Sequence, residues 1–164
     1  MRRGAAAAML VAALLVQVTW APRLEIAGAF PNLVLLAVIA ITWLRGARPG
    51  FAAAFAGGVL LDLTAAGPVG PHVLALLVSV YAIGLWICNV DGVNALHASA
   101  SVGAATILYS LVLVAAGLAR GAPSAFDVDV QLAVAAAAYN ALLAPFAVAA
   151  LRQLDSVGRV AEPQ

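Results

Sequence analysis

Long apolar runs separated by short polar or Gly/Pro-rich stretches set the rhythm of this chain. Six runs stand out, over residues 4–20, 26–44, 49–64, 71–88, 96–119 and 130–151. A helix crosses a bilayer with about 20 mostly apolar residues, so each run reads as a candidate span. From Pro49 to Val90 the only charge is Asp62, and that stretch is too long for one span. Gly67-Pro68-Val69-Gly70-Pro71 is turn sequence that helices rarely cross, and it divides the stretch into the third and fourth runs. At 1.5 Å per residue the third run is about 24 Å long, short for a bilayer. Pro31, near the start of the second run, reads as a first-turn proline, where a missing N–H costs nothing. Residues 89–94 form a polar connection, 120–129 a loop with Pro123, Asp127 and Asp129, and a charged tail follows residue 151.

Composition turns these runs into a class. The chain has 164 residues, of which 65% are hydrophobic and 9% charged. A soluble domain carries about 25% charged residues. So few charges cannot cover a water-facing surface, whereas lipid tolerates helices that are apolar all round. The expectation is therefore a single all-α integral membrane domain over 1–164 with six transmembrane helices. A net charge of +1 gives no basic field for nucleic acid, and all eight positive residues are arginine. The lone cysteine, Cys88, excludes a disulfide within the chain, and no Cys/His cluster suggests a metal or cofactor. Arg2 and Arg3 before an apolar run resemble the start of a signal peptide, but Ala21-Pro22-Arg23 is a poor cleavage site. The first run is thus expected to stay as a span.

Arginine placement predicts the orientation. With the N-terminus in the cytoplasm, Arg2, Arg3, Arg45, Arg48, Arg152 and Arg159 lie inside, and only Arg23 and Arg120 outside. Both termini then face the cytoplasm, an arrangement that an odd number of spans would spoil.

Few residues within the runs carry chemistry. Asp62 is the only acidic one, and intramembrane carboxylates are costly and often functional. It precedes the Gly/Pro turn, so it reads either as an acceptor for the turn's backbone N–H groups or as a group facing a partner or ligand. A proton relay would want a second ionisable group near mid-membrane, and the sequence offers no evident one. Gly50, Ala54 and Gly58 recur at i, i+4, i+8 with Gly57 beside them, a face that lets helices approach closely in lipid, inside the bundle or against another subunit. Asn140 sits mid-run, between Tyr139 and Pro145; its amide suits a bond to another helix or to carbonyls freed by the proline. His72 and His97 open the fourth and fifth runs, on opposite sides of the predicted topology. Serines 79, 99, 101 and 110 have no evident base, and no nucleophile elbow, paired-carboxylate motif, zinc motif or phosphate loop appears. The expectation is a non-enzymatic protein.

Phe30-Pro31-Asn32-Leu33-Val34-Leu35 resembles the P-x-L-x-L opening of the second span in the MreD family. Gly50-Phe51, then Gly57-Gly58-Val59-Leu60-Leu61-Asp62, then Pro68-Val69-Gly70 resembles the family's G-F-x-x-G-L-x-x-D…P-x-G block. Tyr139-Asn140-Ala141-Leu142-Leu143-Ala144-Pro145 is similar to its last-helix pattern. The resemblance covers most of the chain and is carried chiefly by the central block; residues 89–129 add nothing to it.

That resemblance implies a scaffold of the bacterial inner membrane, acting in cell-shape determination and peptidoglycan synthesis within the wall-elongation machinery. Its implied partners are an MreC-like protein, a RodA-like glycosyltransferase and a penicillin-binding transpeptidase. Pro31, Asn32, Gly50, Gly57, Gly58, Asp62, Gly67, Gly70, Asn140 and Pro145 become the packing or docking candidates. It further implies a fold similar to the S-components of energy-coupling-factor vitamin transporters. Those meet their transport partner through an Ala-x-x-x-Ala face, a spacing that Ala8 and Ala12 share in a helix rich in alanine. The alternative function is accordingly a carrier of a vitamin or other small molecule, for which Gln17, Thr19, Asp62 and Thr64 are the outer-half polar groups. An intramembrane enzyme built on Asp62, His72 and His97 is a third reading.

Overall fold

The structure is a computed structural model that describes residues 2–20, 30–65, 67, 69–89, 94–121 and 126–160, the side chains of 2, 3, 5, 126–129 and 155–160 excepted. Among these residues the chain is all-helical, with no strand. Its helices are α1 (Arg2–Thr19), α2 (Leu33–Arg45), α3 (Ala47–Thr64), α4 (Pro71–Ile87), α5 (Ala95–Ala119) and α6 (Phe126–Val160). Two are long and apolar enough to cross a membrane, over Ala95–Ala119 and Val130–Leu154. The placements of Arg23, Pro68, Asp91, Gly92 and Pro123, and the side chains of Arg2, Arg3, Asp127, Asp129 and Arg159, lie outside the described residues.

Helix α2 is the axis of the bundle. It packs against each of the other five helices, while α1, α3, α4, α5 and α6 touch in that order and close a ring around it. No residue from Val34 to Trp43 is more than 8% exposed. Its sequence explains the place: LVLLAVIAITWLR is apolar all round up to its last residue, so no face of it suits water.

Several boundaries differ from those the apolar runs predict, each for a local reason. The second run was expected to be helical from residue 26 with Pro31 in its first turn. Instead Asn32 is the N-cap, its side chain accepting from Leu35 N, and Pro31 lies buried ahead of the helix. An asparagine N-cap satisfies an amide that has no intrahelical partner, which fixes the start behind it. At 13 residues α2 is about 20 Å long. Helix α3 starts at Ala47 rather than 49, because Gly46 alone makes the turn from α2. Its φ of 90° is open to glycine, its N–H closes on Thr42 O, and its carbonyl accepts from Gly50 N. Helix α6 overrides both the expected loop up to residue 129 and the expected tail after 151. It runs 35 residues and carries Pro145 inside it.

The small residues of α3 face inward. A Cβ on Gly50 would overlap the Thr42 hydroxyl of α2, and one on Gly57 would come 2.8 Å from Val34 Cγ1. One on Gly58 would come 2.5 Å from Val73 Cα of α4, and Ala54 between them is fully buried. The Gly50–Ala54–Gly58 face thus packs within this bundle. Gly67 differs: it is exposed, and a Cβ there meets open space.

Gly58→Ala is expected to push α3 and α4 apart against backbone and to lower stability by about 1–3 kcal/mol, as overpacking does. Gly67→Ala is expected to be neutral. Thermal melts of both variants in detergent check the pair, and equal melting points would show the α3–α4 approach to be loose.

Candidate functional site

A helix start leaves its first amides without intrahelical partners. Here two such starts, those of α2 and α4, lie against the interior of the bundle, and polar side chains from other helices reach in to meet them.

At the start of α2, three amides are satisfied by three side chains. Asn32 N donates to Asn140 Oδ1 of α6 at 3.0 Å. Val34 N donates to Gln17 Oε1 of α1 at 3.0 Å. Leu35 N donates to Asn32 Oδ1, also at 3.0 Å. The other half of the Asn140 amide donates to Thr106 Oγ1 of α5 at 3.1 Å, and Thr106 donates on to Val102 O at 2.8 Å. Asn140 is fully buried. Both of its bonds run to other helices, and neither uses a carbonyl freed by Pro145, one of the two roles expected of it. Its Oδ1 is an acceptor and cannot bond a carbonyl, and its Nδ2, the half that could, is directed to Thr106 Oγ1 instead.

At the start of α4, Asp62 does the same work with both oxygens. Oδ2 accepts from Gly70 N at 2.8 Å and Val73 N at 3.3 Å, and Oδ1 accepts from His72 N at 3.1 Å. The carboxylate is 2% exposed, and it lies where the positive end of a helix dipole favours an anion. Gly70 makes this possible. It is the N-cap of α4, and its φ of 129° turns its N–H onto Asp62 in a conformation that side chains rarely adopt. Pro71 then occupies the first helical turn, where it lacks only a donor that would otherwise need a partner. Of the two readings open to Asp62, the geometry is that of an acceptor for turn amides.

His72 extends the Asp62 cluster sideways. Its Nδ1 shares a hydrogen bond with Tyr109 OH of α5, and the two rings stack at 5.9 Å between centroids. Gln17, Asn32, Asp62, His72, Thr106 with Tyr109, and Asn140 thus place a polar group from every helix around the two helix starts. An ionisable neighbour for Asp62, which the sequence pattern did not suggest, is present in this His72–Tyr109 pair.

The opposite end has its own smaller polar contact. Trp43 Nε1 donates to Ser101 Oγ at 2.7 Å, Ser101 donates to Ala98 O at 3.0 Å, and the His97 ring stacks on Trp43. Ser79 Oγ bonds the carbonyls of Ala75 and Ala105. These hydroxyls are engaged by backbone or indole. Pro145 lines a groove of about 290 Å³ with Asn94, Ala98 and Arg152. Among the described residues, no three His, Cys, Asp or Glu side chains stand together as a metal-ligand set.

Of the sequence candidates, the structure brings Asn32 to Asn140 and Asp62 to Gly70, and seats Gly50, Gly57 and Gly58 against neighbouring helices. It leaves Gly67 outside these contacts. Sequence reasoning missed Gly46, Thr106 and Tyr109. Only Gly46 had a local signal, a glycine between Arg45 and the next apolar run. Comparison with protein-family models, with curated proteins and with solved structures finds no match for this chain.

Asp62→Ala removes the acceptor of three amides and is expected to cost about 1–3 kcal/mol or more. Asp62→Asn keeps one carbonyl oxygen and is expected to cost less. Melting points should fall in the order wild type, Asn, Ala, and a flat series would show that the cap contributes nothing.

Proposed function

We propose that this chain is a six-span protein of the bacterial cytoplasmic membrane, with both termini inside, acting as a non-enzymatic scaffold like MreD. Its outer surface supports the membrane setting. Leu63, Leu96, Leu142 and Phe146 are each 68–75% exposed, and Phe55, Tyr81, Leu85 and Leu15 are more than half exposed. These large side chains stand on the outward faces of α1, α3, α4, α5 and α6, whereas soluble monomers rarely expose large contiguous apolar surface. Only 22% of the apolar window in each of α5 and α6 is buried, whereas the core helix of a soluble protein is mostly buried. The interior supports it too. Lipid cannot hydrogen-bond backbone, so every amide at membrane depth needs a protein partner, and α2, at about 20 Å, is too short to carry its start to an interface.

One observation carries the scaffold reading. The residues that resemble the MreD block, Gly50, Gly57, Gly58, Asp62 and Gly70, are committed to packing and capping within the bundle. They build a fixed α3–turn–α4 unit whose outward face is apolar. A carrier needs convergent polar groups lining a free cavity, whereas Gln17 and Asp62 are spent on helix amides. For the enzyme reading, the buried serines 79 and 101 bond backbone carbonyls and the Trp43 indole rather than a base that would activate them. The partners that follow are an MreC-like protein and, through it, a RodA-like glycosyltransferase and a penicillin-binding transpeptidase.

Affinity purification from cross-linked cells checks this reading. An MreC-like protein is expected to co-elute, and depletion of the chain is expected to change cell width. Asp62→Ala should insert into the membrane yet recover less of that partner. Unchanged wall growth on depletion with no such partner would sink the proposal, and a vitamin retained through purification would favour the carrier.

A further inference from the structure

Side chains at the two helix starts form a chain of hydrogen bonds that can run in only one direction. A backbone N–H can only donate, so Asn32 turns its Oδ1 to Leu35 N, at 3.0 Å. The Asn32 side chain also meets the Tyr109 hydroxyl. With Oδ1 engaged, the group it brings there is the Nδ2 donor. Tyr109 Oη thus accepts from α2 and keeps its own hydrogen to give. Its neighbour on the other side is His72 Nδ1, at 2.5 Å. Nδ1 is then the acceptor, which puts the imidazole hydrogen on Nε2. We infer that His72 is an acid-released latch: neutral, its Nδ1 holds the Tyr109 hydroxyl and ties α5 to the starts of α2 and α4; protonated, it releases that hydroxyl. The latch is independent of the scaffold reading, since it is made of bonds within the bundle.

A proton on Nδ1 cannot be absorbed by reversing the chain. An Nδ1–H would donate to Tyr109 Oη, and the hydroxyl hydrogen would need a new acceptor. Asn32 can supply one only by swinging Oδ1 away from Leu35 N, which leaves that amide unmet. Tyr109 is 7% exposed, so water does not take the place of the lost acceptor. His72 is itself partly exposed, which gives the proton access. Helix α4 packs against α2, α3 and α5. Among the described residues, the groups these helices bring to the His72 cluster are the neutral amide of Asn32, the carboxylate of Asp62 and the phenol of Tyr109. The other titratable side chain of α4, Tyr81, lies further along the helix on its exposed side. Asp62 attracts an imidazolium, but three backbone amides and the α4 dipole already offset its charge. Stability present above about pH 6.5, where a free imidazole is neutral, is therefore lost as the pH falls through that range.

The test uses the full-length chain, purified in detergent and labelled with nitrogen-15 at histidine, with His97→Gln to assign the signals of His72. At about pH 8 NMR should show hydrogen on Nε2 alone, and at about pH 5 on both ring nitrogens. Melting points at the same two pH values read the release. His72→Asn places a carbonyl oxygen near the position of Nδ1, an acceptor at either pH that takes no proton. Between the two pH values the wild-type chain should lose about 3 °C or more beyond the loss of His72→Asn, the size of shift that one unmet buried group produces. An Nδ1–H tautomer at the higher pH would overturn the inference. So would an imidazole still neutral at the lower pH, an imidazolium formed there with no fall in the wild-type melting point, or equal falls in the two chains. The NMR outcomes and the wild-type melt keep the inference open to refutation even if His72→Asn does not fold.

Discussion

Two helices of this bundle begin where water cannot reach their first amides, and that constraint organises much of the rest. A buried N–H without a partner costs on the order of 1–3 kcal/mol, and α2 and α4 each present several. Side chains from elsewhere must therefore be positioned to accept from them. Gln17 on α1, Asn140 on α6 and Asp62 on α3 are those acceptors, with Asn32 capping its own helix. Each acceptor ties its parent helix to the helix start it serves. Apolar packing tolerates sliding and rotation of one helix on another, whereas a hydrogen bond of about 3 Å to a fixed amide does not. The polar cluster thus sets register at this end, as Trp43–Ser101 and Ser79–Ala105 do elsewhere, in a bundle otherwise packed largely through alanine, leucine and valine.

Close packing follows from the same arrangement. Asp62 reaches the α4 amides only because α3 lies nearly on the α4 backbone, and Gly58 against Val73 permits that approach. Gly50 and Gly57 make room on α3 for the Thr42 and Val34 side chains of α2. The glycines and the carboxylate therefore serve one end, and replacing either kind would undo the other. This coupling gives a physical reason for glycines at positions 50, 57 and 58 to occur together with Asp62 and Gly70 in one short block.

How much of this was legible in the sequence depends on whether the signal was local. All-helical character and the division at Gly67–Pro71 followed from apolar runs and turn residues, both local properties. Asp62 beside its turn was legible for the same reason, since its partners at 70, 72 and 73 lie within one connection. Asn140 was recognisable as a buried amide, but its partners at 32 and 106 are distant in the chain, and spacing carries no trace of them. Tyr109 reads as an ordinary aromatic in an apolar run until α4 places His72 against it. The start of α2 was misjudged because residues 26–32 are apolar enough to continue a helix. The cap that decides the matter is one asparagine, whose usual use before a helix competed with the more conspicuous Pro31. The length of α6 was hidden by its charges, which end an apolar run without ending a helix.

The two ends of the bundle solve different problems. Around Asp62 and Asn140 the polar groups point inward and are matched one to one with backbone, so that end is fixed. Around Arg45 and Arg48 the α2–α3 turn needs no such device, because Gly46 closes it through its own backbone. Helix α1 spans both conditions. Of its described side chains only Leu10 is buried, and its polar link to the bundle runs from Gln17, near its far end. It is therefore held at Leu10 and Gln17, while its first turns border an open groove. Small residues explain the contrast: where α3 presents Gly57, Leu10 fills the gap, and where it presents Ala52 opposite Ala6, nothing on either helix is long enough to do so. Alanine at those positions leaves α1 and α3 adjacent but unsealed, and the arginines of the turn sit beside that opening.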